Sequence, residues 1–191
     1  MTRALAIASR RRRHETQGIG MPGDNSRIVE LAKRLKDQVD AAVLGGIAVY
    51  LHGGGRSTAD LDFYTPDRPT TARQLEAAGA RWDARNREHV LDGVAIHTVT
   101  PEETRYEVER TSILDGVRVV SLKDLVAIKL LSGLNNPARG RDIGDVEDLI
   151  RNVPLDKRLA GKLPRELRAT FKKLVDAVRA AELARRGRPR L

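Results

Sequence analysis

Two aspartates separated by one apolar residue, Asp60 and Asp62, are the feature that most constrains how this chain can fold. They lie in the run Asp60-Leu61-Asp62-Phe63, where polar and apolar side chains alternate. Because side chains along a strand point alternately to the two faces of a sheet, Leu61 and Phe63 are expected to face a core. The pattern therefore predicts a strand with one buried face and an opposite face that carries two negative charges.

Two carboxylates held close together repel each other unless a cation lies between them. A hard divalent ion such as Mg²⁺ satisfies oxygen ligands of this kind and is commonly shared with the phosphates of a substrate. Upstream of the aspartates, Gly45-Gly46 interrupts a short apolar run, and paired glycines let the backbone approach a phosphate closely. The combination favours nucleotide chemistry that depends on Mg²⁺ or Mn²⁺.

Hydrophobic periodicity predicts an α/β (α+β) fold: a small mixed β-sheet with helices on one face, followed by C-terminal helices. The Asp92-Gly93 pair predicts a two-residue hairpin turn. We expect a main domain over 23–153 and a helical segment over 154–186, with a disordered basic extension at 1–22 and a basic tail at 187–191. Predicted strands cover 42–44, 61–64, 88–91, 94–99 and 117–120; predicted helices cover 25–39, 47–52, 71–78, 122–132, 142–152 and 164–184.

Charge and composition narrow the functional classes. The formal net charge is +9, of which residues 1–20 and 179–191 contribute +4 each, so the middle is nearly neutral. Basic ends can bind nucleic acid electrostatically or can simply be solvated termini. The chain has no cysteine, which excludes disulfides and thiolate metal sites and fits a cytoplasmic location. No apolar run is long enough to span a bilayer, so no membrane partner is expected.

Further motifs follow the aspartates in a fixed order. Arg56, Ser57 and Thr58 precede them, Lys129 lies on a predicted helix, and the run Arg139-Gly140-Arg141-Asp142-Ile143-Gly144-Asp145 comes next. Between Leu44 and Ile150 the chain resembles the DNA-polymerase-β-like nucleotidyltransferases. Within that superfamily it looks most like the branch of the AbiEii-type abortive-infection toxins, with Arg141 where that branch has lysine.

The resemblance implies a two-metal transfer of a nucleoside monophosphate from an NTP to a hydroxyl group. Asp60 and Asp62 would hold the metal. The groups implied for the nucleotide are Gly45, Gly46, Arg56, Ser57, Thr58, Lys129 and Arg141. The groups implied in contacting the acceptor, or in orienting Lys129, are Asp142 and Asp145.

Simpler roles stay open for the residues of the later motifs. Lys129 could be a helix residue whose ammonium reaches solvent. Asp142 could be a helix N-cap. Asp145 could form a surface ion pair with Arg141 or Arg139. The sequence does not separate these roles from the functional ones.

One position departs from the family pattern. A third carboxylate is expected on the next strand, but His97 occupies that position, and histidine suits Mg²⁺ poorly. If Asp92-Gly93 forms the hairpin turn, Glu88 lies opposite His97 on the same face and could replace the missing carboxylate or orient the imidazole. Alternatively, the domain has lost its chemistry. His52 and His89 are interpreted as ordinary surface or loop histidines, and Trp82 as a packing residue.

Three hypotheses of function follow. The first is a metal-dependent nucleotidyltransferase with catalytic groups Asp60, Asp62, His97 and Lys129. It would act on tRNA or another RNA, as in toxin–antitoxin systems, with a cognate antitoxin protein as partner. The second is a catalytically impaired protein of the same fold that binds a nucleotide or a partner protein. The third is a nucleotidyltransferase that modifies a small molecule such as an antibiotic.

Overall fold

A seven-stranded mixed sheet organises residues 25–186, the part of the chain that this computed structural model describes. The strand order is β3-β4-β5-β2-β1-β7-β6; β2 is parallel to β5, β1 is parallel to β7, and the other neighbours are antiparallel. The predicted α/β fold with a mixed sheet is confirmed. The strands are β1 (Ala42–Leu44), β2 (Asp60–Tyr64), β3 (Arg81–Asp83), β4 (Glu88–Leu91), β5 (Val94–Val99), β6 (Thr111–Leu114) and β7 (Val117–Val120).

Helices connect the strands and form the C-terminal part. Short 3₁₀ helices also occur, at Pro137–Arg139, Lys157–Lys162 and Arg165–Leu167. The extensions predicted at 1–22 and 187–191 lie outside the described residues. The α-helices are α1 (Asn25–Leu35), α2 (Gly45–Leu51), α3 (Arg68–Ala77), α4 (Pro101–Thr104), α5 (Leu122–Asn135), α6 (Gly140–Asn152) and α7 (Arg168–Arg186).

Four of the five predicted strands have the predicted bounds, and β2 is one residue longer. Two edge strands, β3 and β6, were missed. Their short segments have largely exposed side chains on alternate positions, so hydrophobic periodicity gives little signal there. The first helix ends at Leu35 instead of 39, because the chain turns there to bury Val39. Between Pro154 and Pro164, ahead of the last predicted helix, the chain forms a 3₁₀ helix.

The core fixes the central strand. Leu61 and Ile96, paired in register on β2 and β5, are fully buried, and Phe63 and Val43 pair beside them. Burying each such side chain contributes about 1.5–3 kcal/mol. Apolar residues of the C-terminal part, Phe171 among them, belong to the same core cluster. Strand β2, which carries the two aspartates, is therefore a rigid platform.

Among residues 25–186, no helix is both long and apolar enough to cross a membrane.

Candidate active site

The two aspartates share the face of β2 that is opposite to Leu61 and Phe63, as the alternation predicts. Register places Asp62 directly beside His97 on the parallel strand β5. Asp62 is buried, whereas the Asp60 side chain is 22 % exposed. The pair therefore lies in a partly closed site and not on an open surface.

The two glycines make room for side chains of this site. Gly45 has φ of +68°, and a Cβ built on it would lie 1.8 Å from Oδ2 of Asp62. A Cβ on Gly46 would lie 2.7 Å from the Cβ of Thr58. The close approach that the sequence suggested for a phosphate is thus already made by Asp62 and Thr58. Any larger residue at 45 or 46 would displace them.

The loop that leads into β2 is held by hydrogen bonds to Asp60 on one side and to Asn25 on the other. The Thr58 hydroxyl donates a hydrogen bond to Oδ1 of Asp60. On the other side, Nδ2 of Asn25 donates to the Arg56 carbonyl at 2.8 Å, and Oδ1 of Asn25 accepts from the Thr58 amide at 3.1 Å. Asn25 is the first residue of α1. Its contacts join segments more than 30 positions apart, and no local pattern reveals them.

The hairpin register predicted from Asp92-Gly93 is confirmed, because Leu91 pairs with Val94. Nε2 of His97 lies 3.5 Å from a carboxylate oxygen of Glu88 and 3.9 Å from Oδ2 of Asp60. Glu88 is almost fully buried, while the His97 side chain is 34 % exposed. The imidazole thus lies between two carboxylates and still faces solvent.

Of the other aromatic and histidine predictions, the one for His89 needs correction. His89 is buried, not on the surface, because it shares the core face of β4 with Leu91. Its ring meets Trp82 edge-on with ring centroids 5.0 Å apart. Trp82, interpreted as a packing residue, packs on His89 while half of its own side chain stays exposed on the edge strand β3. His52, after α2, lies 2.8 Å from the Val120 carbonyl, and burial lowers the pKa of its imidazole.

Lys129 is held in a buried ion-pair network between α5 and α6. Its Nζ lies 2.7 Å from Oδ1 of Asp142 and 2.7 Å from Oδ2 of Asp145, and all three side chains are at most 7 % exposed. Asp145 also binds Arg56 at 2.8 Å, and Ser132 donates to Asp142 at 2.6 Å. The network therefore connects the helices to the loop before β2.

These contacts exclude the simpler roles left open by the sequence. Lys129 does not reach solvent, and Asp145 is not in a surface ion pair with Arg141 or Arg139. Asp142 is not an N-cap, because α6 begins at Gly140. Burial by itself would raise the pKa of Asp142, but the Lys129 ammonium together with Ser132 and Arg139 outweighs this, and the pKa is lowered.

A groove of about 500 Å³ opens beside this network. Of the predicted site residues, Arg56, Ser57, Arg141 and Asp145 lie together along it. Those not recognised from the sequence are Gly144, Glu147, Asp148 and Arg151. Positions 141, 144, 145, 148 and 151 recur at helical spacing, so this face of α6 could have been found from periodicity. Asp60, Asp62 and His97 are not among the residues that line the groove, and the loop before β2 runs from the groove at Arg56 and Ser57 to Asp60.

The chemistry of the donors fits Mg²⁺ only in part. Within residues 25–186, no group of three or more Asp, Glu, His or Cys residues is arranged to hold a metal ion. Asp60 and Asp62 supply two hard carboxylates from one strand face. Mg²⁺ is commonly bound by one or two carboxylates together with substrate phosphates and water. The residues present therefore fit a metal that binds together with a nucleotide.

Comparison with known proteins agrees with this architecture at the level of the fold. No family model matches the chain, and no curated protein matches it. An H. pylori protein with a proposed nucleotidyltransferase activity superposes with a TM-score of 0.51 at 14 % identity, covering 84 % of this chain and 80 % of that one. JHP933 from Helicobacter pylori superposes with a TM-score of 0.51 at 13 % identity, covering 81 % and 90 %. The chain therefore has a nucleotidyltransferase-like fold.

Proposed function

We propose that this protein is a metal-dependent nucleotidyltransferase that moves a nucleoside monophosphate from an NTP to a hydroxyl acceptor. The observation that carries the proposal is the register of β2 and β5, which aligns Asp62 with His97 on one face of the sheet beside Asp60. Two carboxylates and a general base on one rigid face are the groups that such a transfer requires.

Asp60 and Asp62 would hold Mg²⁺ or Mn²⁺, which neutralises phosphate charge when it is bound. His97 would accept the proton of the acceptor hydroxyl as its oxygen attacks the α-phosphorus and pyrophosphate leaves. Glu88, 3.5 Å from Nε2 of His97, would stabilise the protonated imidazole. Thr58, through its hydroxyl, would orient Asp60.

The groove supplies cations for the triphosphate. Arg56 and Arg141 line it together with Ser57, and arginine is well suited to bind phosphate oxygens in pairs. Lys129 would act indirectly, because its ammonium is neutralised by two carboxylates. It fixes Asp145, and Asp145 in turn orients Arg56.

For the acceptor, we infer an RNA such as tRNA, with a cognate antitoxin protein as partner. The support is the resemblance of the later motif, from Arg139 to Asp145, to that of the AbiEii-type toxins. A small antibiotic is the alternative acceptor.

The test is transfer of label from each α-³²P NTP in the presence of Mg²⁺ or Mn²⁺. The acceptors are total tRNA and, separately, aminoglycosides. Asp62→Asn should abolish transfer, whereas Asp37→Asn, at an exposed position outside the site, should leave it unchanged. The proposal fails if the wild-type protein labels no acceptor and shows no metal-dependent thermal shift with any NTP.

A nucleotide-binding protein without turnover is the second candidate. It is favoured by one observation: His97 takes the place of the third carboxylate, and no three-ligand metal cluster is found in the described residues. Its signature would be a thermal shift with NTP and Mg²⁺ that Asp60→Ala removes, without label transfer to any acceptor.

A further inference from the structure

Charge is unequally divided between the sheet domain and the C-terminal part. Residues 154–191 contain 12 Lys and Arg but 4 Asp and Glu, a net charge of +8. Residues 21–153 contain 18 basic and 21 acidic residues, a net charge of −3. The nearly neutral middle is thus itself made of an acidic sheet domain and a basic C-terminal part.

The fold fixes which side of these helices faces solvent. Phe171, Val175 and Val178 of α7 are buried in the core, together with Leu167 just before the helix. Five cations on this helix and on the two 3₁₀ helices before it are exposed, and we call them the basic face: Lys162, Arg165, Arg168, Lys172 and Lys173.

The cations of this face form no ion pairs within residues 25–186, although Glu166 and Asp176 are exposed on the same segment. Among the described residues, none of its five members has a carboxylate within 4.0 Å, whereas nearby Lys157 pairs with Asp176 at 2.6 Å. Arg168 is oriented by a hydrogen bond from its Nε to the Leu163 carbonyl at 2.9 Å. Such unpaired cations bind phosphates favourably, because condensed counterions are released from the nucleic acid.

The position of the face relates it to the candidate site. Helix α7 packs on α6, and α6 supplies Arg141 and Arg151 to the groove. Arg141 is exposed and has no acidic partner among the described residues. Cations are therefore present on two neighbouring helices, one of which forms a wall of the groove.

An anionic membrane is a poorer match for the same charges. Interfacial helices bind lipid by inserting an apolar face beneath the headgroups. The apolar face of α7 is already buried in the core, and Leu183 is its one strongly exposed large apolar residue over 168–185. The basic face therefore presents positive charge but little apolar surface that could insert into a membrane.

We propose that the basic face is a docking surface for an RNA, held through its phosphate backbone without base readout. This inference rests on the proposed function, because it assigns the surface that holds the RNA acceptor of that transfer. The RNA lies along α7 and reaches the groove beside α6 with its reacting hydroxyl.

The experiment measures binding of fluorescent total tRNA to the full chain by anisotropy, without NTP, at several salt concentrations. The test variant is the triple Arg165→Gln, Lys172→Gln, Lys173→Gln, whose residues make no ion pair with any other residue between 25 and 186. The matched control removes three exposed charges from the sheet domain: Lys36→Gln, Arg81→Gln and Arg85→Gln. Both variants keep the basic ends of the chain and are checked by thermal melting.

We expect the test variant to bind tRNA at least about tenfold more weakly, with a salt dependence smaller by about two units in log–log slope. The control should retain wild-type affinity. The proposal is overturned if wild type does not bind tRNA or if the two variants lose affinity equally. It is also overturned if phosphatidylserine vesicles bind more tightly than tRNA through the same three residues.

Failure here and failure of the proposed function give different results. Label transfer to tRNA that the test variant leaves unchanged would refute the basic face and keep the transferase. Loss of tRNA binding in the test variant, combined with no transfer by wild type, would keep the surface and refute the transferase.

Discussion

The carboxylate of Asp62 occupies the space in which a side chain at Gly45 would begin. A Cβ on Gly45 would lie 1.8 Å from Oδ2 of Asp62, which is far closer than two non-bonded atoms can come. Gly45 also has φ of +68°, a conformation that glycine adopts without strain. The first residue of the glycine pair is therefore coupled sterically to the second aspartate.

This coupling predicts that Gly45→Ala destabilises the fold by about 2 kcal/mol or more, because backbone strain and displacement of Asp62 add together. Gly116→Ala is the matched control. Gly116 has a similar φ of +76° but open space around it. Its substitution should therefore lower the free energy of unfolding only by the cost of backbone strain. Urea denaturation measures both. Equal losses would contradict the steric coupling.

Lys129→Met should destabilise the protein by about 3–5 kcal/mol, because it leaves the buried carboxylates of Asp142 and Asp145 without their shared cation. Lys36→Met, at an exposed position, should have little effect. The free energies of unfolding come from chemical denaturation at pH 7. A loss as small as that of the control would mean that the network is not structural.

The same network predicts a pH dependence. The pKa of Asp142 is lowered below its ordinary value of 3.8, so its ionised form stabilises the folded state. This contribution is complete above about pH 5 and is lost as the pH falls through the lowered pKa. The stability difference between wild type and Asp142→Asn should therefore be large at pH 6 and shrink below about pH 4. A difference that does not change between pH 6 and pH 3 would refute the assignment.

If His97 is the general base, His97→Ala should lower kcat by about 10²–10⁴ with a smaller change in KM. Added imidazole should restore part of the activity of this variant. It should not restore Asp62→Asn, in which a carboxylate is missing. Steady-state transfer assays distinguish these outcomes, and normal turnover in His97→Ala would eliminate His97 as the base.

Asn25→Ala should act at a distance by releasing the loop before β2. Two hydrogen bonds, to Arg56 and Thr58, are lost, at about 1 kcal/mol each. We expect about a tenfold fall in kcat, with tRNA affinity unchanged. Asn25→Asp keeps the acceptor for the Thr58 amide and should fall between wild type and Asn25→Ala. Identical kcat values in all three proteins would show that the hydrogen bonds of Asn25 to this loop do not position the site.

Local pattern was enough to predict much of the framework. Alternation over 60–63 predicted the face of the aspartates, and Asp92-Gly93 predicted the turn that brings Glu88 to His97. Alternation failed at the edges of the sheet, where β3 and β6 are short and largely exposed. The same alternation could have predicted that His89 is buried, because His89 lies two positions before Leu91 and therefore on the same face of the strand.

The sequence by itself determined which residues share a strand face or a helix face, because periods of two and 3.6 residues are properties of the backbone. Only the tertiary structure decided which faces meet. It brought Asp145 between Lys129 and Arg56, placed Asn25 against the loop before Asp60, and buried the apolar side of α7 so that its cations remain exposed. Such contacts join segments far apart in the chain, and they exist because burial of one common core fixes the helices against the sheet.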